Sequence, residues 1–215
     1  MLLAIDTATY RASVALHDGV TLRGECTWEA VNRHTVTLAS RITELLQASD
    51  STPEALSGVA VCIGPGSYTG VRIGIAVAKG LAMTRSLPLV GIPTLDILAA
   101  GQPPDPRPLY ALFSAGRQRV GYACYRWQET AWEAETEIAV VTWEELAQRI
   151  TEPTLIVGEL TPEGLGCLSA LGERVVIPAA AWHLRRAGFL ADLGWKRLRA
   201  NDPSDPHQII PLYLH

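Results

Sequence analysis

The sequence predicts an α/β protein built as two similar lobes, each a mixed sheet with helices on its faces. Three observations carry that expectation. The order of three strands, helix, strand, helix, strand occurs twice along the 215 residues. A segment with four prolines in eight positions, GQPPDPRP at 101–108, falls between the two runs and marks the boundary. Hydrophobic residues make up 48% of the chain and charged residues 19%, which is enough apolar material for two packed cores and excludes a mostly disordered chain.

The first run opens with LLAIDTA at 2–8, apolar with Asp6 near its end. ASVALH at 12–17 and TLRGECTW at 21–28 follow across short turns and complete a three-strand meander. From 35 to 47 the period changes to helical, with Leu38, Ile42, Leu45 and Leu46 on one face. SGVAVCI at 57–63 is a buried strand, and the turn Gly64-Pro65-Gly66-Ser67 leads into a helix over 67–83 with Ser67 as its N-cap. LPLVGI at 87–92 closes the first lobe.

The second run begins with a hairpin, LYALFS at 109–114 and RVGYACYRW at 119–127. A third strand is expected near 132–141, a helix at 142–150, a strand at 154–158, a helix near 161–170, a strand at 174–177 and a last helix at about 180–199. Each half therefore reads as a βββαβα lobe with one more strand, and two such halves are the pattern of the actin-like (ribonuclease H-like) fold. The repetition is one of architecture, not of sequence. The expected domains are 1–100 and 101–215.

Net charge is −4, from 18 Lys and Arg against 22 Asp and Glu. Nucleic-acid binders draw most of their affinity from phosphate contacts and carry a basic excess, so any tie to RNA is expected to run through a partner. The start, Met1-Leu2-Leu3-Ala4-Ile5-Asp6, lacks the features of a signal peptide, and the apolar run Val71 to Met83 is broken by Arg72 and Lys79. Cys26, Cys62, Cys124 and Cys167 form no CxxC pair. A reduced, cytoplasmic protein without a membrane span is the expectation.

Few residues carry chemistry. Asp6 and Thr7 end the first strand, where an acid and a hydroxyl can meet a metal-bound nucleotide; the same Asp can equally hydrogen-bond a turn. A nucleotide site of the actin-like kind needs a second acidic hairpin, and that place reads Phe113-Ser114-Ala115-Gly116. No cofactor is therefore expected. The stretch GPGSYTGVRIGIAVAKGLA fits neither a Walker loop nor a dinucleotide fingerprint. Its Gly70, Gly74, Ala78 and Ala82 recur every four residues, so one helix face is nearly bare backbone. Interior glycine costs a helix about 0.5–1 kcal/mol relative to alanine, and close approach of another element compensates: either the chain's own sheet or a partner's helix. Arg33-His34 precedes the first helix without a second His at ligand spacing, no HExxH occurs, and Ser67 lacks a GxSxG context. No catalytic residue and no metal site is expected.

IDTATYRASVAL, GPGSYTGVRIGIAVAKGLA and PLVGIPTLDILA together resemble the TsaB (also called YeaZ) family, a group of actin-like proteins paralogous to TsaD. The resemblance covers about residues 1–100 well and is carried later by LFSAGRQRVGYACY and the closing IIPLYLH. The family has Asp-Ala-Arg where this chain reads Ser114-Ala115-Gly116. The resemblance implies a non-catalytic partner of a TsaD-type enzyme in tRNA threonylcarbamoyladenosine modification, with a TsaE-type ATPase joining the complex and tRNA contacted only indirectly. It places docking on helices 35–47 and 67–83, through Leu38, Ile42, Leu45, Tyr68, Gly70, Val71, Gly74 and Ala78. The paralogue's metal-binding His-x-x-x-His corresponds to Thr94 and Leu98. It also implies that the last helix packs back on the first lobe, and the same surface would allow a homodimer. Two rival readings are an actin-like ATP-dependent phosphotransferase anchored on Asp6 and a metallopeptidase of the M22-like group.

Overall fold

The structure, a computed structural model, describes residues 1–30 and 34–214, with side chains described from residue 37 onward in the helix that begins at 34. It divides into two compact units, Met1–Ile97 with Arg186–Tyr213, and Leu98–Arg185 with the last residues.

The first unit holds a five-stranded sheet. β1 (Leu2–Asp6), β2 (Arg11–His17) and β3 (Leu22–Glu29) form the antiparallel meander, and β4 (Gly58–Cys62) and β5 (Leu89–Ile92) add parallel strands in the order β3-β2-β1-β4-β5. β1 and β4 are buried throughout. That burial explains their unbroken apolar sequence, because a strand covered on both faces has no polar side to show. α1 (His34–Ala48) lies on β2 and β3, and α2 (Tyr68–Arg85) lies beside it on β4 and β1. α3 (Thr94–Ala100) follows β5, a seven-residue helix too short for its periodicity to mark it in the sequence.

In the second unit β6 (Leu109–Ser114) and β7 (Arg119–Gln128) make the hairpin, and β10 (Thr154–Gly158) and β11 (Val175–Val176) extend it in parallel. The expected single strand over 132–141 is two. β8 (Ala131–Ala134) pairs with residues 125–128 of β7, and β9 (Ala139–Thr142) pairs with residues 119–122 of the same strand. α4 (Trp143–Arg149) starts in a capping box, in which Thr142 accepts from the Glu145 N–H and Glu145 returns a bond to the Thr142 N–H. α5 (Pro162–Ser169) is capped by Thr161. The order β11-β10-β6-β7-β8 repeats the plan of the first sheet.

The expected helix over 180–199 is interrupted. A short 3₁₀ turn covers Ala180–His183, and α6 runs only from Ala187–Arg199. His183 Nδ1 accepts the Gly158 N–H and its Nε2 bonds the Pro178 carbonyl, which fixes the turn next to β10. In the first unit, Glu25 on β3 sets the start of α6: one carboxylate oxygen accepts the Gly188 N–H at 2.9 Å and the other binds the Arg186 guanidinium. A carboxylate at a helix N-terminus satisfies an orphan donor and complements the dipole. α6 then packs on β1 and β2, with Gly194 meeting Ala60 and Leu2.

Among the described residues no helix is long and apolar enough to cross a membrane.

Candidate functional site

The junction between β1 and α2 is built by mutual approach of backbones. Ser67 N–H donates to Ala8 O at 2.6 Å, and Thr7 Oγ1 donates to Gly70 O at 2.7 Å. A Cβ at Gly66 would overlap Ala8 O, one at Gly70 would overlap Thr7 O, and one at Gly74 would overlap Thr7 Oγ1. Glycine is required at these three places because β1 and the turn after it leave no room for a side chain. Ser67 Oγ accepts the Gly70 N–H, as expected for the N-cap. Asp6 is buried and its Oδ1 accepts the Ala8 N–H at 2.9 Å, the turn-forming arrangement. Asp6 and Thr7, the two candidates for a nucleotide contact, thus each hold the fold together.

This geometry corrects the expected docking residues. Leu38, Ile42 and Leu45 are buried in the core of the first unit, as are Gly70, Val71, Gly74 and Ala78. The small-residue face of α2 is turned to the chain's own β1, so its compensation is intrachain packing. Of the eight expected residues only Tyr68 is exposed. The outward side of α2 is a different stripe: Arg72, Ala76, Gly80 and Met83 are exposed, with Ile73 and Val77 half-buried among them. A Cβ at Gly80 would meet nothing within 4 Å. Beside it α1 exposes Ala39, Ser40, Thr43, Glu44 and Gln47. The signal for this second stripe was in the sequence. Residues 68–85 are apolar nearly all round, and a helix that buries one apolar face and keeps another has a second surface to cover.

The remaining candidates have structural partners. Thr94 Oγ1 donates to Pro65 O at 2.7 Å and lies 3.2 Å from Cys62 Sγ; Leu98 is buried. In the second unit a carboxylate does reach the hairpin, and it comes from outside it. Glu159, just past β10, accepts the Ser114 N–H at 2.9 Å, a tertiary contact that no local motif announces. Burial and the neighbouring Glu135 push the Cys124 thiol up to about 12, and burial raises Cys167 as well, so neither is poised as a nucleophile. Among the described residues no group of three His, Cys, Asp or Glu is placed to hold a metal ion. Arg33 lies outside the described residues, as does the side chain of His34.

The first lobe runs β-β-β-α-β-α-β and the second repeats that order with its third strand split into β8 and β9; with the same strand order in both sheets and helices packed on them, this is an actin-like protein. A sequence model described as TsaD, tRNA N6-adenosine threonylcarbamoyltransferase, matches residues 28–173. The tRNA threonylcarbamoyladenosine biosynthesis protein TsaB of Bacillus subtilis is 31% identical over 217 aligned residues, covering 99% of this chain and 93% of that one. The solved structure of YeaZ from Pseudomonas aeruginosa superposes with a TM-score of 0.80 at 28% identity, covering 99% of each chain. A second solved structure, described as an uncharacterized protein with similarity to peptidase YeaZ from Pseudomonas aeruginosa, gives a TM-score of 0.83 at 27% identity over 100% of this chain and 99% of that one. The chain belongs to the TsaB (YeaZ) family.

Proposed function

We propose that this chain works in tRNA threonylcarbamoyladenosine synthesis as the non-catalytic partner of a TsaD-type threonylcarbamoyltransferase, docking through the outward faces of α1 and α2. The observation that carries the reading is the second stripe of α2. Ala76 and Gly80 let another helix approach closely, and Ile73, Val77 and Met83 offer apolar contact around them. Family membership supplies the pathway, and a TsaD-type paralogue shares the lobe plan, so its equivalent helices can meet these in a four-helix arrangement. A second copy of this chain can use the same face when the partner is absent. A TsaE-type ATPase joins through the complex, tRNA is reached through the catalytic subunit, and the setting is the cytoplasm. No cofactor is assigned to this chain.

The test is light scattering on a sizing column with the TsaD-type protein of the same organism. The probe is Ala76→Arg, which puts a charged side chain on the exposed stripe without entering the core. Gly74→Leu is unsuitable, because its side chain would collide with Thr7 and unfold the first unit. A heterodimer formed by the parent chain and lost in folded Ala76→Arg supports the reading. A parent chain that forms no complex, or a variant that binds as well as the parent, overturns it. Magnesium-dependent ATP turnover by the purified chain alone would favour the phosphotransferase reading instead.

A further inference from the structure

After α6 the chain runs as a strap along the open edge of the first sheet. Ser204 N–H donates to Leu89 O at 2.8 Å, and its Oγ accepts the Gly91 N–H. Arg197 binds the Gly91 carbonyl at 3.0 Å. Further along, Ile209 is buried beside Gly91, and Leu212 N–H donates to Ile63 O at 2.7 Å. The strap ends on the first turns of α2. Tyr213 stacks on Tyr68 with ring centroids 5.4 Å apart, Arg72 lies 3.9 Å from the Tyr68 centroid, and Arg72 Nε donates to the Tyr213 hydroxyl at 2.6 Å.

The backbone is thus held from the sheet side while the outer side chains stay in water. Ile210 is 69% exposed, Tyr68 58%, Tyr213 40% and Leu212 37%. Edge protection requires only the backbone bonds and Ile209; it does not account for these outward groups. Apolar side chains on an already ordered backbone lose little freedom when covered. Tyrosine and arginine are the residue types that dominate binding energy at interfaces. The patch also has an address. Arg72 stands one turn before Ala76 and two before Gly80, so the clamp continues the outward stripe of α2 at its N-terminal end.

We propose that the strap residues Ile210, Leu212 and Tyr213, with Tyr68 and Arg72, are the second half of the docking surface. The occupant is the TsaD-type subunit, meeting them with an apolar surface and a carboxylate opposite Arg72. The proposal rests on the docking reading above and extends it to a segment far from α2 in sequence.

The experiment measures the dissociation constant for the TsaD-type subunit by calorimetry, using the full-length parent, Ile210→Ser/Leu212→Ser, Arg72→Glu and Ala76→Arg. The serine changes leave the core side chain Ile209 and the strap's backbone bonds in place, and a thermal melt checks each fold. The expected result is binding at least tenfold weaker for the serine pair and for Arg72→Glu, and none for Ala76→Arg. If Ala76→Arg abolishes binding while the strap variants bind as the parent does, the strap proposal is overturned and the docking reading stands. If Ala76→Arg binds normally as well, both are overturned.

Discussion

Two glycines of α2, six residues apart, make opposite predictions. Gly80 faces open space, so Gly80→Ala gains helix propensity alone and stabilises the chain by about 0.5–1 kcal/mol. Gly74→Ala gains the same amount, but its Cβ lands on Thr7 Oγ1. Overpacking of this kind costs about 1–3 kcal/mol. Displacing Thr7 also breaks its bond to Gly70 O, worth about 1 kcal/mol. The net expectation for Gly74→Ala is destabilisation of about 2 kcal/mol, so the two variants should lie about 3 kcal/mol apart, the difference of these two estimates. Urea titrations of the parent and both variants measure this. In a Thr7→Ala background the obstructing hydroxyl is gone and the nearest remaining atom, the Cβ of residue 7, is 3.7 Å away, an ordinary van der Waals contact, so Gly74→Ala should become neutral or better. Equal stabilisation by both single variants, or no coupling between positions 7 and 74, would refute the claim that the small-residue face of α2 is held against β1.

Other expectations follow from single contacts. Backbone N–H bonds from Thr21 and Val20 hold the Asp18 carboxyl down at about 2. Because its folded value is depressed, Asp18 contributes stability above the ordinary carboxylate range and loses it as pH falls toward 2. The stability gap between the parent and Asp18→Asn should therefore narrow from pH 5 to pH 2; a gap independent of pH would contradict the assignment. Cys124, raised to about 12, holds roughly 1000-fold less thiolate at pH 8 than an ordinary thiol. It should resist iodoacetamide in the native protein and react once urea is added, as peptide mass mapping would show. Glu25→Ala removes the carboxylate that receives Gly188 N–H and Arg186. A loss of about 1–2 kcal/mol is expected, with faster hydrogen exchange at residues 187–191; unchanged exchange there would remove Glu25 as the device that starts α6.

Which parts of this protein could be read from its residues depends on how far each signal reaches along the chain. Strand runs such as LLAID and GVAVC, the helical period of 35–47 and the Ser67 cap are short-range patterns, and the elements form where those patterns lie. The doubled order of elements was enough for the actin-like plan. Periodicity also picked out the small-residue face of α2, but a list of small residues at every fourth position carries no direction. Only the approach of β1, with Thr7 bonded to Gly70, decides that Gly70, Gly74 and Ala78 point inward and Ala76 and Gly80 outward. The start of α6 is likewise invisible locally, because its capping carboxylate is Glu25, 163 residues before Gly188. The Glu159 carboxylate at Ser114 is brought there by a parallel strand pair, and Tyr213 on Tyr68 by a strap along a sheet edge. Periods, turns and caps are fixed by neighbours within a few residues, so the sequence alone determined most of the elements and their order, though not α3, the split between β8 and β9 or the late start of α6. Which face is core and which is surface is settled by packing between distant segments, and that only the tertiary structure could decide.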